Sequence, residues 1–389
     1  MREHFLLDPS VVFLNHGSFG ACPVPVFEDY QRWQRELERQ PVEFLARRAD
    51  KLLDTARGRL SAYLNCETDD LIFVPNATVG VNTVARSLKL QPDDEILTTD
   101  HEYGACDKTW RFVARKTGAK YVRHAVPLPF DPQAMVESIW NAVTPRTKVL
   151  YLSHITSPTA LIFPIEELIR QAREAGIFTL IDGAHAPGQI TLDLTALGAD
   201  AYTGNLHKWL CAPKGAGFLH VRREHHPTIE PLVISWGYPD GDDPTGASWG
   251  YGTDATFVTQ NQWQGTRDIA AFLSVPAAID FQQAHHWDSV RQRCHELVVE
   301  TRHRLCALTG LPPIAPEASL GQMFTAALPA CDVFALKTRL YDDYRVEVPA
   351  IVWNDQPFIR TSFQGYNTRE DADALVSALE HLLTTARQP

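Results

Sequence analysis

Cysteine is sparse and unpatterned in this 389-residue chain: seven residues, at 22, 66, 106, 211, 294, 306 and 331, with no Cys-x-x-Cys spacing. An odd, scattered set argues against a disulfide framework and suggests no zinc or other metal site, so these read as reduced thiols of a cytoplasmic protein. Long apolar runs are missing as well. The run Phe5-Leu6-Leu7 is cut by Asp8-Pro9 before it reaches signal-peptide length, and no later stretch approaches the ~18 apolar residues of a membrane span. A basic excess is also lacking. With 36 Lys and Arg against 47 Asp and Glu the net charge is −11, the opposite of a general nucleic-acid or anionic-membrane binder. No internal repeat or biased tract occurs, and 44% hydrophobic with 21% charged residues describes a globular chain with an ample core rather than a disordered one.

The length exceeds what one hydrophobic core usually spans, so a large domain with a smaller companion is expected. Leu71-Ile72-Phe73-Val74, Glu95 to Thr99, Lys148 to His154 and Ile177 to Asp182 read as strands. Between the last two, Ile165, Leu168, Ile169, Ala172 and Ala175 form a helical stripe opened by Pro164 and closed by Gly176. Alternation of strand and helix from about 71 to 221 predicts a mostly parallel sheet with helices on both faces. Upstream, Val26, Phe27, Tyr30, Trp33 and Leu37 make one apolar helical face, fit for core or for a dimer surface. The segment from Trp236 to Trp249, rich in Gly, Asp and Pro, reads as a long loop. Helical patterns dominate from about 270.

The chain is organised around one lysine. In Asn205-Leu206-His207-Lys208 a lysine stands beside His and Asn ahead of a Gly-rich turn. A lone lysine is usually a solvated charge, but the upstream strand ends in Asp182, at the carboxyl edge where open α/β sheets hold ligands. An acid there can partner the pyridinium nitrogen of pyridoxal phosphate (PLP), and a lysine able to form a Schiff base is the other half of that arrangement. Asn76-Ala77-Thr78 follows a strand and opens a helix, where free backbone N–H groups and a partial positive charge suit a phosphate; a plain helix cap is the competing reading. After the next strand, His101 and Tyr103 compete as the ring that could stack on a bound cofactor. Arg360, in the strand pattern Pro357 to Phe363, carries a planar guanidinium suited to an α-carboxylate.

Asp182-x-x-His185 followed by Asn205-x-His207-Lys208 resembles the class V aminotransferase group of fold-type I PLP enzymes, with wording closest to the isopenicillin N epimerase-like branch. The resemblance runs from Phe13-Leu14-Asn15-His16-Gly17 to Arg360. It implies an α/β large domain with a mostly parallel, seven-stranded-type sheet at about residues 25–270, an N-terminal segment 1–24 that reaches the active site, and a smaller α+β domain over 271–389. Lys208 is implied to carry PLP, Asp182 to hold its ring nitrogen, and His185 and Ser157 to meet its phenolic oxygen. Thr78, Asn205 and His207 are implied at the phosphate, joined by Thr266 from a second subunit, which requires a homodimer. Arg360 is implied to bind the substrate carboxylate, with Asn15, His16 and Gly17 on the substrate side.

An amino-acid substrate and chemistry at Cα follow, with epimerisation as the leading expectation. A carbon–sulfur lyase and an aminotransferase stay open, since Lys208 also serves them. A cysteine desulfurase needs a nucleophilic thiol ahead of the arginine strand, and Tyr344 to Pro357 contains no cysteine. A PLP-binding regulator would carry an appended DNA-binding module, for which there are no spare residues.

Overall fold

The computed structural model describes residues 1–238 and 256–385. The expected long loop from Trp236 to Trp249 therefore lies outside them apart from Trp236, Gly237 and Tyr238.

A two-residue strand near the amino end, β1 (Val12–Phe13), precedes seven strands that build the main sheet. These are β2 (Leu71–Val74), β3 (Glu95–Thr99), β4 (Lys120–His124), β5 (Thr147–Ser153), β6 (Phe178–Asp182), β7 (Ala201–Asn205) and β8 (Gly217–Val221). Their spatial order is β2-β8-β7-β6-β5-β3-β4, with β8 antiparallel to both neighbours and the remaining pairs parallel. Alternate residues along each strand enter two separate cores: Leu150, Leu152 and Ile181 join one, while Val149, Tyr151 and Leu180 join the other. A sheet buried on both faces needs nearly unbroken apolar strands, which is why β2, β5 and β6 are the ones legible as such. The edge strand β4, Lys-Tyr-Val-Arg-His, is half exposed and polar, and the sequence reading passes over it. The stripe helix forms as expected at Ile165–Glu174 with Ile165, Leu168, Ile169 and Ala172 buried.

The carboxyl-terminal part is not only helical. Strands β9 (Met323–Ala327), β11 (Ala350–Trp353) and β12 (Gln356–Ser362) form an antiparallel sheet in the order β11-β12-β9, and the short β10 (Val346–Glu347) pairs in parallel with β1. Helices Trp287–Thr309, Val333–Tyr344 and Arg369–Thr385 pack with these strands. Through the β1–β10 pair, the amino end of the chain is docked on its carboxyl-terminal part.

The helix Ala77–Ser87 begins directly after β2 and lies against β7. A Cβ on Gly80 would stand 2.1 Å from Thr203 Oγ1, whose hydroxyl donates to the Phe218 carbonyl at 2.7 Å. Gly80 is thus a matter of room: it lets the helix start sit low over the sheet edge. Gly80→Ala should destabilise by about 1–3 kcal/mol through overpacking, read as a lower denaturant midpoint. An unchanged midpoint would mean that the helix rides outward without cost.

Candidate active site

The segments that follow β2, β3, β5, β6 and β7 all emerge on the same edge of the sheet, at its carboxyl end. They enclose a cavity of about 240 Å³ lined by Asn76, Ala77, Thr78, Tyr103, Ser153, Ser157, Asp182, His185, Asn205, His207 and Lys208, with Ser18 and Phe19 added from the amino-terminal segment. A larger hollow of about 580 Å³, bordered by Tyr63, Trp287 and Arg291, contains none of these groups.

At the strand ends the acid and the amine face one space. Asp182 is buried; its Oδ1 accepts from the Ala184 N–H at 2.9 Å, and its Oδ2 from the Tyr151 hydroxyl at 3.2 Å and the Cys106 thiol at 3.6 Å. Burial pushes this carboxyl up, against the pull of the Ala184 N–H and the Lys208 charge. Lys208 is half-buried, and burial of its amine lowers the pKa to about 7. The Arg360 charge adds to that depression and Asp182 opposes it.

The His185 ring joins two neighbours. Its Nδ1 lies 3.3 Å from Trp209 Nε1 and its Nε2 lies 3.0 Å from Lys208 Nζ. An indole N–H only donates, so Nδ1 is unprotonated and the proton of the neutral ring sits on Nε2. That N–H needs a lone pair on Lys208, which only the free amine has. The two residues are consistent, for burial also holds His185 well below its ordinary value.

The phosphate-side prediction rests on a helix start. Asn76 caps Ala77–Ser87 by accepting from the Val79 N–H at 3.0 Å, and Asn205 Oδ1 accepts from the Ala77 N–H at 2.8 Å. Among the described residues the Thr78 N–H has no hydrogen-bond partner and lines the cavity, as an anion site at a helix N-terminus requires. His207 turns Nδ1 to the Ala216 carbonyl at 3.1 Å and lies at the same wall.

Of the two competing rings, Tyr103 borders the cavity, whereas His101 does not. His101 is fully buried, its Nδ1 bonded to Thr159 Oγ1 at 2.7 Å and its Nε2 to the Val126 carbonyl at 2.8 Å. The backbone turn after β3 sends them to different sides, so His101 is a wall-supporting residue. Asn15, His16 and Gly17 are likewise absent from the lining, where Ser18 and Phe19 stand instead. The segment is a short helix, His16–Phe19, rather than an open turn. His16 is buried beneath the lysine, between the Tyr366 hydroxyl and the Lys208 carbonyl, each at 3.0 Å. Gly17 fits closely beside Ser362, and Gly20, at φ +71°, passes so near His207 that a Cβ would meet its carbonyl oxygen at 1.9 Å. Asn15 supports Ser18 and receives nothing from the cavity, its amide donating to Glu347 at 2.9 Å.

Arg360 is buried on β12 and donates to the Ser157 carbonyl and, at 3.2 Å, to its hydroxyl, and to Ser18 Oγ at 3.1 Å. Its Nε has no partner, and no carboxylate pairs with it among the described residues. Ser157 therefore faces the cavity with its hydroxyl already engaged. Thr266 is exposed and outside this cavity. The sequence reading missed Trp209, Ser18 and a buried acid, Glu102, which accepts from Ser153 at 2.6 Å and Thr99 at 2.7 Å and is pushed up to about 8 by burial. A run of polar residues after a strand is the one sign that Glu102 leaves in the sequence.

The donor set fits PLP. Asp182 could meet the ring nitrogen, the His185 Nε2–H the phenolic oxygen, Lys208 the aldehyde carbon, and Thr78, Asn205 and His207 the phosphate. Such an arrangement on an α/β sheet marks a PLP-dependent enzyme of fold type I. Comparison with known proteins agrees. The chain matches the family model "Aminotransferase class-V" over residues 24–375. It is 39% identical to the isopenicillin N epimerase of Amycolatopsis lactamdurans, over 98% of this chain and 97% of that one. With putative L-cysteine desulfhydrase 1 of Oryza sativa subsp. japonica the identity is 30%, over 97% of this chain and 84% of the relative. A solved structure of a C-DES variant with glycine covalently linked to its PLP cofactor superposes with a TM-score of 0.83 at 21% identity, covering 98% of this chain and 99% of that one, which shows a shared fold. The protein belongs to the class V aminotransferase family, in its isopenicillin N epimerase-like branch.

Only the free amine of Lys208 can attack the cofactor's aldehyde, so its attachment to apoprotein should be flat above about pH 7 and slow tenfold per pH unit below it. Arg360→Gln removes a positive neighbour and raises the amine's pKa, moving the break to higher pH. Stopped-flow absorbance across pH tests this, and an unmoved break would separate Arg360 from the lysine electrostatically.

Proposed function

We propose that the protein is an amino-acid epimerase of the isopenicillin N epimerase type, which removes the Cα proton of a substrate held by its carboxylate and returns a proton on the other face. The observation that carries the reading is Arg360: a buried guanidinium without a carboxylate partner among the described residues, bonded to Ser18 and Ser157, two residues of the Lys208 cavity. The identity to isopenicillin N epimerases over nearly the whole chain supports it.

When bound, PLP supplies an electron sink for the pair left at Cα. Lys208 would hold the group, and its free amine is the base available beside Cα. The Asp182 carboxylate would keep a proton at the ring nitrogen. Trp209 acts through His185, fixing the tautomer that donates from Nε2. Thr78, Asn205 and His207 orient the phosphate end, and Arg360 sets the direction of the substrate by two parallel hydrogen bonds.

A carbon–sulfur lyase is the second reading, supported by the L-cysteine desulfhydrases among the relatives, since it needs only Lys208 and a leaving group at Cβ. An aminotransferase is a third, with the same residues. A desulfurase has less support: none of the seven cysteines borders the cavity. All seven are unpaired, which supports a reducing compartment such as the cytoplasm. No described helix is long and apolar enough to cross a membrane. The division at residues 24 and 270 is offered as the domain plan, with the main sheet in the second part and the antiparallel sheet in the third.

The site is read as composite. Thr266 is exposed in the single chain, as a residue lent to a neighbour would be, and the apolar face of Val24–Arg39 is covered fully only at Val26.

Two experiments test these readings. Holoenzyme incubated in deuterated water with isopenicillin N and a panel of L-amino acids should exchange hydrogen at Cα with inversion. Release of pyruvate with a sulfur fragment would make it a lyase, and conversion of the cofactor to its amine form, reversed by a keto acid, an aminotransferase. Light scattering should give a dimer in which Thr266→Ala weakens PLP affinity about tenfold, as expected for one lost charge-assisted hydrogen bond; a monomer of full affinity would refute sharing.

A further inference from the structure

Inversion at Cα requires a proton to leave one face and another to arrive on the opposite face, so a base that stays on one side needs a counterpart. Lys208 is the first group, and the second is found by elimination within the cavity. Its titratable lining residues are Tyr103, Asp182, His185, His207 and Lys208. Asp182 is committed to Ala184, Tyr151 and Cys106 at the base of the site. His185 is bonded to Lys208 itself and to Trp209, which puts it on the lysine's own side. His207 leans on the Ala216 carbonyl next to the helix start. Tyr103 remains, and among the described residues its hydroxyl makes no hydrogen bond.

Its place in the sheet is right for the task. In the order β7-β6-β5-β3, Lys208 follows β7 and Tyr103 follows β3, with the Asp182 strand β6 between them. The two side chains therefore approach the cavity from opposite flanks of the acid. Tyr103 also lies within electrostatic reach of Arg360, the group read above as the holder of the carboxylate one bond from Cα. At 48% exposure it can exchange its proton with water, as a residue that must be recharged in every turnover has to.

We propose that Tyr103 is the second acid–base residue of the epimerisation, serving the face of Cα opposite Lys208; the inference rests on the epimerase reading. In one direction the Lys208 amine takes the Cα proton and becomes an ammonium, while the electron pair of the broken C–H bond stays with the substrate. The Tyr103 O–H bond then breaks, its proton forms the new C–H bond on the other face, and a phenolate is left beside Arg360. Water returns a proton to the phenolate and receives one from the ammonium, so nothing is consumed. In the other direction the two groups exchange roles.

The test is Tyr103→Phe as holoenzyme in deuterated water, with isopenicillin N and its epimer as probes. The ring is kept, so PLP affinity and the visible absorbance of the bound cofactor should match the wild type. The epimer whose Cα hydrogen faces Lys208 should still take up deuterium with retention, while interconversion of the epimers slows about 100-fold or more. Inversion at the wild-type rate would overturn the proposal. So would a parallel loss of inversion, deuterium uptake and cofactor affinity, which would make Tyr103 structural. If the wild type itself inverts neither probe, the epimerase reading fails and the assignment falls with it, an outcome distinct from a failure confined to the variant.

Discussion

Lys208 lines one cavity with a single acid, Asp182, Arg360 is bonded to Ser18 and Ser157 of the same lining, and burial depresses both basic groups. Charges taken from water without partners are costly, and a protein escapes the cost by neutralising the group or by binding something that pairs with it. Here the lysine takes the first route, reaching about 7, and His185 supports the neutral amine with a tautomer fixed by Trp209. The arginine cannot lose its proton as readily and donates hydrogen bonds to Ser18 and Ser157 oxygens instead, which satisfy geometry but leave its charge unpaired. An anion that entered on the Arg360 side would pair that charge. The rest of the architecture serves to hold these three groups at that separation.

Holding them requires parts of the chain that are far apart in sequence. The sheet supplies Asp182 and Lys208 from adjacent strands, and β12 supplies Arg360 from the carboxyl-terminal part. The amino-terminal segment ties them together: His16 under the Lys208 carbonyl, Ser18 on Arg360, Gly20 against His207. Behind the acid, Glu102, Ser153, Thr99 and Tyr151 make a polar layer in which every carboxylate oxygen has a donor. Burial pushes Glu102 up to about 8, so at pH 7 it is mostly protonated and adds little second negative charge near Asp182.

Much of this was legible in the sequence because it obeys strand-end logic. An apolar run that ends in an acid, as before Asp182, or that leads to a lysine, as at Lys208, announces the carboxyl edge of a buried sheet. The helix start at Asn76 declares itself through its cap. What could not be read is where loops turn. His101 and Tyr103 are two residues apart and compete to stack, the resemblance favours Tyr103, and only the path after β3 separates them physically. Trp209 looks like core filling, and nothing in one dimension reveals that its N–H meets His185. The glycines near residue 17 suggested a turn, but they mark close approach, with Gly17 against Ser362 and Gly20 against His207. The role proposed for Thr266 would depend on a surface outside the single chain.

The amino-terminal tie has a further bearing, on the order of events during synthesis. His16 is bonded both to Lys208 and to Tyr366, so its final position waits for the last strand and the turn after it to leave the ribosome. The strands from β2 to β8 can pair long before that, yet the wall that completes the lysine's surroundings is the last piece to arrive. A ligand stabilises only the state that binds it. Cofactor in the medium can therefore assist the nascent chain only once β2 to β8 have paired and Lys208 has emerged, and until then the sheet depends on its own two cores.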